Sequence, residues 1–217
     1  MLKWAVVKND MKIGIFDSGL GGLIITRAIL ELLPEYDYVY LGDTKRLPYG
    51  NRSHEEVYEF TEEAVDYLFR KENCAIVVIA CNTASSRALR QIQQEYLPKN
   101  FPNRRVIGVL IPASEVASIY EKVGVLATNG TVASNTFQIE INKLNPNTEV
   151  FQNPAPELVP IIENGDLSKA EPFIKEYLRP FMDKNLDALV LGCTHYPMLK
   201  QEIGKIMGEA VKLISQE

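Results

Sequence analysis

Two residues in this 217-residue sequence combine a reactive side chain with a suggestive placement: Cys81 and Cys193. Each follows an apolar run that reads as a buried strand. Each precedes a helical stretch, in Cys81-Asn82-Thr83 and Cys193-Thr194-His195. A thiol at a helix N-terminus feels the positive end of the helix dipole, which lowers its pKa. From a free value of ~8.5, a modest shift would give substantial thiolate at neutral pH. A matched pair of such thiols suits acid/base chemistry, whereas either alone would read as a buried structural cysteine. Cys74 lacks this context and reads as core.

Other polar residues cluster around these two. His195 could orient the Cys193 thiol, share its proton or bind a carboxylate. A Cys–His protease arrangement is also open, but it gives Cys81, Asn82 and Thr83 no part. His54, the only other histidine, sits at an expected helix start and reads as surface. The loop Asp17-Ser18-Gly19-Leu20-Gly21-Gly22 permits close approach of a ligand to the backbone, and its helix start favours an anion. Its spacing is not that of a dinucleotide fingerprint, and Asp17 would repel a phosphate. Asp17 suits contact with a cation such as a substrate ammonium, or it simply caps the loop. Gly42-Asp43-Thr44 and Leu47-Pro48-Tyr49-Gly50 form a long polar loop after a strand, with a turn at Pro-Tyr-Gly.

These residues need elements to position them. Apolar runs at 12–16, 38–42, 75–80, 105–110, 122–127, 187–192 and 211–214 read as strands, several of them buried on both faces. Helical stretches alternate with them. One opens with a capping box at Ser53 and Glu56 and carries Val57, Phe60, Ala64 and Leu68 on one face. Another starts near Thr83. A third opens at Ser168 with Glu171 and should be shortened by Pro180. The alternation predicts an α/β fold with mostly parallel sheets. The chain also echoes itself. Lys12-Ile13-Gly14-Ile15-Phe16 recurs as Lys122-Val123-Gly124-Val125-Leu126, and the strand leading to Cys81 recurs before Cys193, at offsets of 110 and 112. The fold class expected is two similar, pseudo-symmetric α/β domains with a cleft between them, since ligands sit beyond the carboxyl ends of strands. The expected boundaries are 1–104 plus 210–217 for the first domain and 105–209 for the second.

Composition excludes several classes. Hydrophobic residues make up 46% and the net charge is -5, so neither the basic footprint of a nucleic-acid binder nor a membrane-spanning run of ~20 apolar residues is present. The first ten residues do not read as a signal peptide. A cytoplasmic location is expected. Three widely spaced cysteines form neither a disulfide framework nor a zinc pattern, and no metal site is expected.

The assembled motifs resemble the glutamate racemases of the aspartate/glutamate racemase superfamily. They are Phe16-Asp17-Ser18-Gly19 with Gly21-Gly22, Gly42-Asp43-Thr44 with Pro48-Tyr49-Gly50, Ala80-Cys81-Asn82-Thr83-Ala84, and Gly192-Cys193-Thr194-His195-Tyr196-Pro197. The resemblance runs from Met11 onward, and its GDT…PYG element points to glutamate over aspartate. It implies a cofactor-independent, two-base racemase. Cys81 would serve the D-glutamate face of Cα and Cys193 the L-glutamate face. Asp17, Ser18, Tyr49, Gly50, Asn82, Thr83, Thr194 and His195 would hold the substrate, with Thr128, Thr131 and Glu163 as weaker candidates. It also implies D-glutamate supply for peptidoglycan, and homodimers as a common assembly. The alternatives are an aspartate or broad-specificity racemase, or a truncated relative that binds without turnover. Ile111 stands where family members often carry a carboxylate, and Pro154-Ala155-Pro156 where they carry Ala-Cys-Pro. Family chains run on past this end, which predicts uncovered apolar surface on the first half. The ten residues before Met11 read as an extension or a misplaced start.

Overall fold

The computed structural model describes residues 11–216. The expectations for residues 1–10 lie outside them. Eight strands form two four-stranded sheets, parallel throughout. The first holds β1 (Lys12–Asp17), β2 (Asp37–Gly42), β3 (Cys74–Ile79) and β4 (Arg105–Gly108), in the order β2-β1-β3-β4. The second holds β5 (Lys122–Ala127), β6 (Glu149–Pro154), β7 (Ala188–Gly192) and β8 (Lys212–Ile214), in the order β6-β5-β7-β8. The two orders are the same. So is the register: Gly14 pairs with Val77 in the first sheet, and its counterpart Gly124 pairs with Leu189 in the second. The internal echo is therefore one topology used twice. The central strands are buried nearly end to end, β7 completely so, as helices on both faces of a parallel sheet require.

Two strands sit in the other sheet from the one expected. The sequence places the run opening at 105 in the second half, but β4 pairs with β3. Residues 211–214 were expected to return to the first half, but β8 pairs with β7. Strands consecutive in sequence often neighbour one another, and here β4 lies beside β3 and β8 beside β7, so each sheet is completed by its own consecutive residues. The apolar pattern of 105–110 also overran: the strand stops at Gly108 and a helix begins at Leu110 (Leu110–Ala117). β6 was not foreseen. It is a half-exposed edge strand whose Glu, Gln and Asn residues interrupt any apolar run.

The capping box forms as read. Ser53 Oγ accepts from the Glu56 N–H, and Glu56 reaches back to the Ser53 N–H, starting the helix His54–Arg70. The second box does not form, because a 3₁₀ turn (Leu167–Lys169) begins before Ser168, which lies inside it and not at a helix entrance. The helix Ala170–Leu178 ends just before the turn that contains Pro180. On one face of the first sheet, Val57, Leu68, Val77 and Ile92 form a dense core. The other face is covered by Gly22–Leu32, with Ile25 packed on Ile15 and Val78. An apolar groove lined by Ile13, Ile76, Val78 and Ile107 stays open there. No helix among the described residues is long and apolar enough to cross a membrane.

Leu68 is fully buried between sheet and helix. Leu68→Ala should cost about 2–5 kcal/mol in denaturant unfolding, and Ser53→Ala about 1 kcal/mol. Equal losses would contradict this account of the core.

Candidate active site

Cys81 leaves the end of β3 and caps the helix Asn82–Arg87, its sulfur accepting from the Ala84 N–H at 3.4 Å. Its thiol donates to Ser18 Oγ at 3.3 Å. Cys193 leaves the end of β7, the counterpart strand, with its sulfur 3.6 Å from His195 Nδ1. Both cysteines are buried and both line one cleft at the junction of the two halves. No Lys or Arg lines it.

The expected lowering of the thiol pKa is not met. Burial pushes the Cys81 thiol up to about 11, and the Asp17 carboxylate adds to that. The Ser18 and Ala84 hydrogen bonds oppose it only in part. Burial pushes Cys193 up further still, opposed by the His195 backbone N–H. A helix dipole contributes ~0.3–1 kcal/mol at such a position, while taking a charge out of water costs several. Desolvation therefore wins.

Nine of the ten expected site residues line the cleft, and Asp17 does not. Its carboxylate is fully buried behind the wall, where Oδ2 accepts from the Gly19 N–H at 3.0 Å. Thr194 of the other half donates to Oδ1 at 3.4 Å. Burial raises the Asp17 pKa, with the charge of His195 the main opposing influence. Asp17 thus shapes the Ser18 loop and ties it to the opposite half. Gly21 is needed there, since a Cβ would lie 2.7 Å from Thr194 Oγ1.

The remaining wall is held by neutral side chains. Tyr49 is buried, but its hydroxyl donates to Asp43 Oδ2 at 2.7 Å and is committed away from the cleft. Asp43 is itself held by Arg46, which stacks over Phe60. Gly50 abuts Thr128, which a Cβ would meet at 2.8 Å. Thr83 and Thr128 share a hydrogen bond at 2.9 Å across the halves, and Thr128 shares another with Thr131 at 3.1 Å. Of the weaker candidates, Thr128 lines the cleft. Thr131 stands behind it, and Glu163 hydrogen-bonds His195 Nε2. Among the described residues, no three His, Cys, Asp or Glu side chains converge as a metal site would require.

Sequence reasoning missed several supports. Tyr40 donates to the Gly19 carbonyl at 2.8 Å and fixes the loop from the neighbouring strand. Arg87 bonds the carbonyls of Gly130 and Arg52, one from each half. Gln216 accepts from Asn82 Nδ2 at 3.3 Å. Each depends on long-range packing, and only Asp43, inside a quoted motif, had a local signal.

The Asp/Glu/Hydantoin racemase family matches residues 13–215. A glutamate racemase of Oceanobacillus iheyensis is 42% identical over 212 residues, 95% of this chain and 75% of that protein. The glutamate racemase of Francisella tularensis, solved in complex with D-glutamate, superposes with a TM-score of 0.87 at 40% identity. That match covers 94% of this chain and 76% of the other. An Escherichia coli glutamate racemase, solved with L-glutamate and the activator UDP-MurNAc-ala, gives 0.77 at 31% identity, over 94% and 77% of the two chains. The aspartate racemase of Picrophilus torridus shares the fold at 0.65 and 17% identity, over 95% and 89%.

Alkylation reads the thiolate. With its pKa raised to about 11, Cys81 in the ligand-free protein should react with iodoacetamide about tenfold faster per pH unit from pH ~7 to ~10. Site-resolved mass spectrometry checks this. A plateau below pH ~8 would mean that the dipole, not burial, sets this thiol.

Proposed function

The chain belongs to the Asp/Glu/hydantoin racemase family, and from that premise we propose that it interconverts L- and D-glutamate through two thiols on opposite faces of Cα. The observation that carries this reading is that Cys81 and Cys193, at matching strand ends of two like-ordered sheets, line one cleft.

The chemistry accounts for the residue types. A Cα–H beside a carboxylate is a very weak acid. The thiolate of one cysteine takes this proton, and the electron pair stays on Cα and its carboxylate. The thiol of the other cysteine then delivers a proton to the opposite face. One sulfur ends protonated and the other ionised, the reverse of the starting state. By family resemblance Cys81 takes the proton of D-glutamate and Cys193 that of L-glutamate. No proton carrier beyond these two sulfurs is required. Ser18, Asn82, Thr83 and Thr194 supply neutral hydrogen-bonding groups around the carboxylates, which stabilises the carbanion in a water-poor site. Asp17 and Tyr49 act one layer back, through Ser18 and Gly50.

Raised thiol pKa values fit this chemistry. A sulfur that resists ionisation is a strong base once ionised, which a weak carbon acid needs. The cleft offers no Lys or Arg to promote ionisation, so the substrate ammonium is the cation that arrives to do so. All three cysteines are unpaired, in keeping with reaction in the reducing cytoplasm. Glutamate is favoured because relatives at about 40% identity bear that activity in their names, and D-glutamate would serve peptidoglycan synthesis.

Incubation with L-glutamate in D₂O should place deuterium at Cα and erode optical rotation. Cys81→Ser and Cys193→Ser should each slow racemisation by at least about a hundredfold, while Cys74→Ser, in the core beside Gly14, should keep it. Thermal stabilisation by D-glutamate without any exchange would replace this reading with a binding protein, and faster turnover of aspartate would replace the substrate.

A further inference from the structure

Tyr40 lies on β2 and does not line the cleft, yet its hydroxyl donates to the Gly19 carbonyl at 2.8 Å. At the other end of the same residue, the Gly19 N–H donates to Asp17 Oδ2 at 3.0 Å. β2 also presses on that carbonyl, since a Cβ at Gly42 would collide with it. Ser18 therefore sits between the buried Asp17 and a glycine held at both its N–H and its carbonyl. Ser18 in turn touches the sulfur of Cys81. Its hydroxyl accepts from the thiol at 3.3 Å, and both its hydroxyl and its backbone N–H favour the ionised sulfur. A serine hydroxyl can serve thiol and thiolate alike, because it rotates between accepting and donating. It does so only while its oxygen stays within reach of the sulfur.

The second half fills the matching position differently. Tyr40 pairs with Ile15 in the first sheet, and the corresponding partner of Val125 in the second is Gln152. Gln152 donates to Asn135 at 2.7 Å, and Cys193 rests against His195. The Tyr40 hydroxyl thus serves one sulfur and not the other. We propose that Tyr40 is a positioning residue for Cys81: by fixing the Gly19 carbonyl it holds Ser18 against the sulfur as the thiol ionises. Tyr40 touches neither the sulfur nor the substrate and acts through Ser18. Its part in turnover rests on the racemase reading above, whereas the link from Tyr40 to Cys81 does not. The titratable groups that act on Cys81 or feel its charge are Asp17, Cys193, Tyr49 and Tyr40 itself. Burial raises the Tyr40 pKa, so its phenol is neutral and phenylalanine in its place changes no charge.

Tyr40→Phe tests this in the ligand-free protein. The ring keeps its place in the apolar cluster with Ile13 and Ile15, and only the hydroxyl is lost. Alkylation by iodoacetamide at one fixed pH, read site by site by mass spectrometry, reports each thiolate separately. Cys81 should react about fivefold more slowly in the variant, the loss expected for one hydrogen bond, and Cys193 at its wild-type rate. Tyr38→Phe is the control. It removes a like bond on the same strand, to the Leu33 carbonyl at 2.7 Å, and should change neither sulfur. Ser18→Ala should slow Cys81 at least as far as Tyr40→Phe does, and adding Tyr40→Phe to it should cost less than about twofold more, since both act through one contact. In racemisation, Tyr40→Phe should lower kcat/KM about fivefold for L- and D-glutamate alike. Wild-type alkylation of Cys81 in Tyr40→Phe would overturn the inference. So would faster alkylation of Cys81, equal slowing of both sulfurs, or full additivity with Ser18→Ala. Slowed alkylation with wild-type kcat/KM would overturn the part assigned to Tyr40 in turnover. A wild-type protein that does not racemise glutamate would overturn the reading above, and the alkylation rates would still decide whether Tyr40 positions Cys81.

Discussion

Burying two thiols in one cleft disfavours ionising either of them. The rest of the site follows from that constraint. Neither sulfur has a Lys or Arg beside it in the cleft lining, and the nearest buried carboxylate, Asp17, raises the Cys81 thiol further. The supports that do oppose the rise are weak and local: a serine hydroxyl and a backbone N–H for Cys81, a backbone N–H and a threonine for Cys193. In the proposed reaction such a site would hold the sulfurs as thiols until the charge of the substrate makes ionisation worthwhile.

The two halves approach closely, and they do so at residues without side chains. Gly21 lies against Thr194 and His195, Gly50 against Thr128, and Gly130 against the Gly50 carbonyl and Thr83. Polar groups lock the seam around these contacts. Arg90 pairs with the nearly buried Glu140 at 2.8 Å, Thr136 donates to the Ser86 carbonyl at 2.9 Å, and Arg87 grips both halves. An alanine at Gly21 or Gly50 would press against Thr194 or Thr128 and wedge the seam open.

Much of this was legible in the sequence. The strand runs, the echo between Gly14 and Gly124, the Ser53 capping box and nine of the cleft residues all have local signatures: apolar continuity, periodicity, or a motif at a strand end. What the sequence hid is what depends on distance. β4 and β8 read as strands, but sheet membership is set by long-range pairing, which leaves no mark on the strand's own residues. Asp17 reads as a ligand because carboxylates at strand ends often are, and only its complete burial shows that it serves the loop. The thiol pKa values went the other way because a dipole is visible in a sequence and desolvation is not. Ser168 carries the letters of a capping box but lies inside a 3₁₀ turn, not at a helix entrance.

The scaffold's near-twofold symmetry and the departures from it have different uses. Duplicated topology puts one sulfur at the end of β3 and the other at the end of β7, so the two thiols line one space. A reaction that must treat both faces of one carbon needs that equivalence. Glutamate itself has no twofold axis: its side-chain carboxylate points to one side. A perfectly symmetric cleft would offer that group two identical seats and would hold Cα in neither orientation firmly. The loops break the tie. After β1 the chain places Asp17 and a glycine-rich turn, while after β5 it places Thr128 and its threonine partner. Cys81 leans on Ser18, while Cys193 leans on His195 and, through it, on Glu163. In the proposed reaction the strands would supply two opposed bases, and the unlike loops the single pose in which both can reach the same carbon.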